Sequence, residues 1–318
     1  MSRIQKVLFV LLAVFALTPW ASPALSLLLG IALALTIGNP FVKESKTASK
    51  YALQAAVVGL GFGLDLMTVL RVGGEGFLLT FFTISATLAL GMLLGRILKV
   101  ERKAAMLIAA GTAICGGSAI AAVGPVIKAN DEEMSVSLGT VFILNAIALL
   151  IFPMIGHAAK MGQTTFGIWA ALAIHDTSSV VGAAASYGKE ALAIATTIKL
   201  TRALWIIPVA FGFVYLEARY DRRNHESDDA ERPKVQIPWF IAFFVLASIV
   251  RTLVPSGGDF YAAIGTCAKA LLSLTLFLIG AGLSRSALKK VGVRPLLAGI
   301  LLWIAVGVTS FLVLIGTR

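Results

Sequence analysis

Apolar runs of about twenty residues recur along the chain, parted by short polar or basic stretches. As a helix, a run of that length covers the roughly 30 Å hydrocarbon layer of a bilayer. The pattern predicts eleven such segments, at about 7–18, 21–38, 50–70, 76–98, 104–127, 134–156, 164–187, 190–216, 237–254, 260–283 and 295–316. The expected fold is all-α: a polytopic membrane helix bundle forming one domain over residues 1–318. Its one sizeable soluble stretch, Glu217–Pro238, carries mixed charge without apolar periodicity and reads as a cytoplasmic linker between two groups of spans. The first segment is the weakest. Arg3 and Lys6, the apolar Val7–Leu17 and then Ala21-Ser22-Pro23-Ala24 also resemble a cleavable signal sequence, which would leave ten spans. Pro23 makes that cleavage site poor, so a retained helix is favoured.

Two polar stretches interrupt this pattern, Cys115-Gly116-Gly117-Ser118 and His175-Asp176-Thr177-Ser178-Ser179. Irregular backbone at membrane depth is tolerated only where protein buries it or it lines a watery cavity. Ionisable groups there are functional candidates, and helices broken near mid-bilayer are a usual construction of a carrier's substrate site. At the second break, Thr177–Ser179 would open a half-helix whose unpaired N–H groups attract anions. The plainer alternative is that these residues only cap a kinked helix. At the first break the glycines allow close backbone approach, Ser118 is placed to cap the half-helix Ala119–Ile127, and Cys115 reads as a small buried residue rather than a nucleophile. Asn145, in mid-span, suits interhelical bonding and substrate contact equally.

Lys199 and Arg202, three apart in the following span, share a helix face. They need an anionic partner, and Asp176 is one of few in the spans. Either the three form a structural ion pair, or one cation neutralises Asp176 while the other meets a substrate anion. Arginine offers a planar fork for an oxyanion, lysine a point charge. Asp65 and Arg71 sit near one membrane face, Lys269 is placed to snorkel, His157 lies at a span end, and His225 belongs to the linker.

Hydrophobic residues make up 58% of the 318 and charged residues 14%, well away from soluble averages. The net charge of +11 raises nucleic acid as a partner, but the basic residues are dispersed in short loops between spans, which removes that class. With the N-terminus cytoplasmic, nineteen Lys and Arg fall on the cytoplasmic side and five on the other, while Lys199, Arg202 and Lys269 fall inside spans. That bias sets the orientation by the positive-inside rule. It puts Glu217–Pro238 inside and Asn130–Glu133 on the opposite side. Cys115 and Cys267 are far apart and give no metal or disulfide pattern; no Walker A sequence is present.

Residues 51–73 and 270–292 align at an offset of 219, with Gly61-Phe62-Gly63-Leu64 on Gly280-Ala281-Gly282-Leu283 and Val72-Gly73 on Val291-Gly292. These are the third and tenth spans, so the copies run in opposite senses, as inverted repeats do. A looser similarity links Cys115–Pro153 with His175–Pro208, each a polar break, an Ala-rich half-helix and a span with a polar residue before a proline. By the same count those two run in the same sense, and a single inverted duplication does not explain both.

The stretches AAGTAICGGSAIAAVGPVI and HDTSSVVGAA and the following Lys199-Leu200-Thr201-Arg202, in this order, resemble a family of bacterial inner-membrane proteins labelled sulfate exporters. The resemblance covers the whole chain. It implies export of sulfate or related sulfonates, and implicates Cys115–Ser118, His175–Ser179, Lys199 and Arg202. The resulting expectation is a secondary carrier of a small anion with no cofactor, in the bacterial inner membrane. Its partners would be the anion, a coupling ion (H+ or Na+), the lipid bilayer and, as an option, a second copy of the chain. Proton coupling would use His175 and Asp176. A sodium-coupled carrier is the nearest alternative. An intramembrane enzyme with Cys115 or Ser178 as nucleophile, His175 as base and Asp176 as orienter is disfavoured, because adjacent residues point apart. A non-transporting scaffold would leave Lys199 and Arg202 unexplained.

Overall fold

The computed structural model describes residues 3–224, 239–283 and 291–316. Most of the predicted linker, including His225, lies outside them. The described residues form fourteen α-helices and no strand: α1 (Arg3–Ala16), α2 (Pro23–Thr36), α3 (Val42–Gly61), α4 (Leu66–Ile97), α5 (Arg102–Ala113), α6 (Gly117–Val126), α7 (Asp131–Ala158), α8 (Gln163–Ala173), α9 (Thr177–Tyr187), α10 (Lys189–Leu204), α11 (Ile206–Asn224), α12 (Trp239–Leu253), α13 (Gly258–Gly282) and α14 (Val293–Gly316). Short polar residues start several of them by accepting from the first-turn N–H groups. Ser22 does so for α2, with Pro23 at the first helical position, and Asp65 does so for α4. Asn130 and Glu133 close a reciprocal capping box on α7.

Among the described residues, five helical stretches are long and apolar enough to cross a membrane: Leu79–Ile97, Asp131–Ala158, Lys189–Leu216, Gly258–Gly282 and Val293–Gly316. A sixth candidate joins α3 to Leu66–Gly74 through a bend of 111°. Helices α2, α6 and α12 are apolar but shorter. These lengths support a multi-span all-helical protein without supporting the count of eleven.

Two of the expected spans, 104–127 and 164–187, turn back on themselves. Lys103 Nζ, at the start of α5, donates to the Lys128 carbonyl just beyond α6 at 2.9 Å. A Cβ on Gly111 would come within 2.9 Å of the Ile120 side chain, so the half-helices fold against each other. The second pair closes likewise. Tyr187 Oη donates to the Met161 carbonyl at 2.7 Å, its ring stacks on Phe166 at 3.7 Å, and Gln163 Oε1 accepts from the Glu190 N–H at 3.0 Å. The breaks permit the reversal: Gly116 adopts φ 67° and ψ −127°, while Ile174 and Asp176 are extended. Between the hairpins α7 runs 28 residues from the mouth of one to the mouth of the other. The hairpins therefore enter from opposite ends of the bundle.

This corrects the expectation that Asn130–Glu133 lie on the side opposite Glu217–Pro238, of which the described part, 217–224, is the end of α11. Ala210 and Phe213 of α11 pack in one cluster with Val123, Ile127 and Met134. Glu132 and Glu133 line a surface cleft with Lys99, Glu101 and Arg294. Lys128 and Lys160 exchange ends, which leaves the basic imbalance unchanged. Two opposed hairpins also remove the conflict between the internal similarities, since the broken segments now run in opposite senses. Helices α3 and α13 pack antiparallel, with Gly59 against Ala268 and Phe62 stacked on Tyr261 at 5.7 Å. Helix α2 packs on the other side of α13 through facing glycines: a Cβ on Gly30 would lie 2.2 Å from the Phe277 carbonyl oxygen, and one on Gly280 2.5 Å from that of Leu27.

Candidate functional site

The site begins with the backbone left unpaired at the two breaks. Helices α5 and α8 end there with free carbonyls, and α6 and α9 begin there with free N–H groups. Far from water, each such group needs a partner. The tips touch: a Cβ on Gly116 would lie 3.1 Å from both Cα and Cβ of Asp176, so contact and positive φ both call for glycine.

The long helices supply the partners. Asn145 stands halfway along α7 and is 3% exposed. Its Oδ1 accepts from the N–H groups of His175 (3.1 Å) and Asp176 (3.0 Å). From α10, Lys199 Nζ donates to the carbonyls of Ile174 (2.8 Å) and Ala171 (3.4 Å). Arg202 donates to Leu172 (2.8 Å) and Ala171 (3.0 Å), and its other terminal nitrogen donates to the Ala113 carbonyl at the end of α5. Both cations have no exposed surface. Their positive charge sits on the C-terminal ends of α5 and α8, where the helix dipole favours it. The span after each hairpin thus caps the tip of the other: Asn145 reaches the second hairpin, and Arg202 reaches the first.

The expected pairing of Asp176 with a cation is replaced by these carbonyl contacts. Asp176 turns to its own helix, accepting from the Ser178 N–H at 3.0 Å and from the Ser178 hydroxyl, as the cap of α9. Thr177, Ser178 and Ser179 are buried in the first turn of α9. His175 is wholly buried, and neither ring nitrogen has a hydrogen bond; Asn145 Nδ2 and Arg202 Nε are also without one. On the first hairpin Cys115 is a buried free cysteine, Gly117 packs under the Phe142 ring, and Ser118 is exposed. No side chain at the Gly116 cap position bonds the start of α6.

The structure thus gathers the predicted residues from both breaks, α7 and α10 around one junction. Peripheral candidates lie elsewhere: Asp65 caps α4, His157 stacks on Tyr187 at 4.3 Å, and Lys269 is exposed. Sequence reasoning missed Trp303, whose Nε1 donates to the Ala173 carbonyl at 3.1 Å, and the buried Thr112, whose hydroxyl has no partner. An indole or hydroxyl inside an apolar run gives no local signal of such a role.

Residues 4–299 match the family described as "Conserved hypothetical protein 698". A UPF0324 membrane protein of Bacteroides thetaiotaomicron is 52% identical over 297 residues, covering 93% of this chain and 87% of the relative. Namesakes from Bdellovibrio bacteriovorus and Geobacter sulfurreducens are 49% and 45% identical, covering 96% and 98% of this chain and 92% and 97% of theirs. No solved structure matches. Matched over nearly its whole length, and sharing with relatives named as membrane proteins the apolar helices described above, this multi-pass membrane chain belongs to the Conserved hypothetical protein 698 family.

Proposed function

We propose that the protein is a secondary carrier of a small inorganic or organic anion, with sulfate and sulfonates among the candidates, and that its substrate site is the junction of the two hairpin tips. One observation carries this reading: two re-entrant hairpins from opposite ends meet at the depth of Asn145, around the buried polar groups His175, Lys199 and Arg202. Such a junction can be exposed to one side and then the other by moving one hairpin at a time, which is what alternating access requires. The excess of basic residues at the end of Lys99, Lys103 and Lys128 supports a cytoplasmic N-terminus in the bacterial inner membrane. We assign proton coupling to His175 and Asp176; a sodium-coupled cycle is the competing version.

The arrangement gives an enzyme reading little support. Asp176 bonds Ser178 directly, and the His175 ring holds neither Ser178 nor Asp176 as a triad would require. The test is reconstitution in proteoliposomes, measuring uptake of labelled sulfate, methanesulfonate and acetate under imposed proton or sodium gradients. Gradient-stimulated, saturable uptake of one of them is expected. No uptake of any of them under either gradient or by exchange would defeat the proposal.

A further inference from the structure

We infer that the N-terminus of α6, with the free amide nitrogen of Asn145, is the binding site for a singly charged oxyanion head group, a sulfonate or carboxylate. This rests on the carrier reading and names its ligand class. The two hairpins present equivalent helix starts at the junction, and they are finished differently. The start of α9 carries its own anion, the Asp176 carboxylate on the Ser178 N–H. At the start of α6 the corresponding residue is Gly116, which brings no side chain, and Ser118 in the first turn is exposed. A helix start attracts an anion through its unpaired N–H groups and its dipole.

An independent observation points to a ligand at the same place. Asn145 is held through its Oδ1, which accepts from the backbone of His175 and of Asp176, the residue against which Gly116 packs. Its Nδ2 is nonetheless a buried donor without a partner. Phe142, one turn earlier on α7, touches Gly117, so this face of α7 looks onto the start of α6. A buried donor left unpaired is costly, and an oxyanion oxygen would satisfy it. The charge count sets the valence. Two N-terminal and two C-terminal helix ends cancel, and before any proton is taken up Lys199 and Arg202 against an ionised Asp176 leave one positive charge for the ligand to neutralise.

The experiment is thermal-shift titration of the full-length protein in detergent at about pH 8, the upper end of the range in which a histidine switches, with methanesulfonate, acetate and sulfate. Ser118→Ala keeps the N–H and removes the hydroxyl; Ser118→Pro removes the N–H at a first-turn position where helices tolerate proline. Asn145→Asp keeps the acceptor for His175 and Asp176 but replaces the free donor with a carboxylate oxygen. Methanesulfonate or acetate should stabilise the wild type at lower concentration than sulfate. Ser118→Pro and Asn145→Asp should weaken that response about ten- to a hundredfold, as loss of one charge-assisted hydrogen bond does, and Ser118→Ala should leave it within a few-fold. Wild-type response in both weakened variants, or tighter binding of sulfate, would overturn this inference and leave the carrier reading standing. No response of the wild type to any of the anions would overturn both. If Asn145→Asp proves unfolded, the contrast of Ser118→Pro with Ser118→Ala decides alone.

Discussion

Arg202 holds the junction together at the level of single atoms. It serves the carbonyls of Ala171 and Leu172 on one hairpin and Ala113 on the other. Arg202→Ala leaves the Leu172 and Ala113 carbonyls without this donor and Ala171 with only the longer Lys199 contact, at a cost of about 1–3 kcal/mol for each buried group left unpaired. We expect a large drop in melting temperature in detergent, with only partial recovery in Arg202→Lys, because an ammonium cannot reproduce the planar fork that reaches both hairpins. Equal melting of wild type and Arg202→Ala would refute this role. Gly116 carries a different constraint. Its φ of 67° and the 3.1 Å approach to Asp176 make Gly116→Ala strained and crowded together. A destabilisation of about 2 kcal/mol or more is expected by unfolding or by yield of monodisperse protein.

At the scale of elements, close helix crossings rest on small residues. A Cβ on Gly91 would lie 2.6 Å from that of Ala109, and one on Gly95 2.4 Å from that of Ala105, which brings α4 tightly along α5. The Gly30–Gly280 crossing of α2 and α13 is closer still, because backbone meets backbone. Gly280→Ala is therefore expected to cost more than Gly282→Ala, whose Cβ would meet nothing within 4 Å. Comparable melting temperatures for these two variants would show that the crossing is not as close as described. Aromatic stacking locks the second hairpin, with Trp169 against Phe152 at 4.3 Å and its Nε1 on the Gly307 carbonyl at 2.9 Å.

For the whole molecule, the opposed hairpins make a topological prediction that eleven uniform crossings do not. Asp131 and Lys160 are both exposed and lie at opposite ends of α7. In a Cys267→Ser background, an impermeant thiol reagent applied to intact cells should label Lys160→Cys and spare Asp131→Cys. Labelling of Asp131→Cys alone is what eleven uniform crossings, or a reversed orientation, would give and would overturn this description, and labelling of both would mean that α7 does not cross the membrane. The coupling proposal adds a pH dependence. If anion binding takes up a proton at His175 or Asp176, affinity must rise as pH falls, by linkage. Affinity measured from about pH 8 to 5, where histidine can switch, should tighten in wild type and flatten in Asp176→Asn. A flat wild-type profile would exclude proton coupling through this pair.

By itself the sequence determined the solvent of this protein and the places where its helices break. Apolar runs too long and too frequent for a water-soluble core specify helices in lipid. Polar groups inside such runs are costly enough to mark the breaks at 115–118 and 175–179, together with Asn145, Lys199 and Arg202. Apolar periodicity says nothing of direction, however, because a run of twenty-four residues bent at its middle has the same composition whether it crosses or returns. Contacts far apart in the chain decided that: Lys103 with Lys128, and Tyr187 with Met161. Tertiary structure also decided the partners of the buried cations. An opposite charge such as Asp176 is visible in a sequence, whereas carbonyls become available only where a helix ends. Lys199 and Arg202 found theirs at the ends of α5 and α8 once the two tips were brought together.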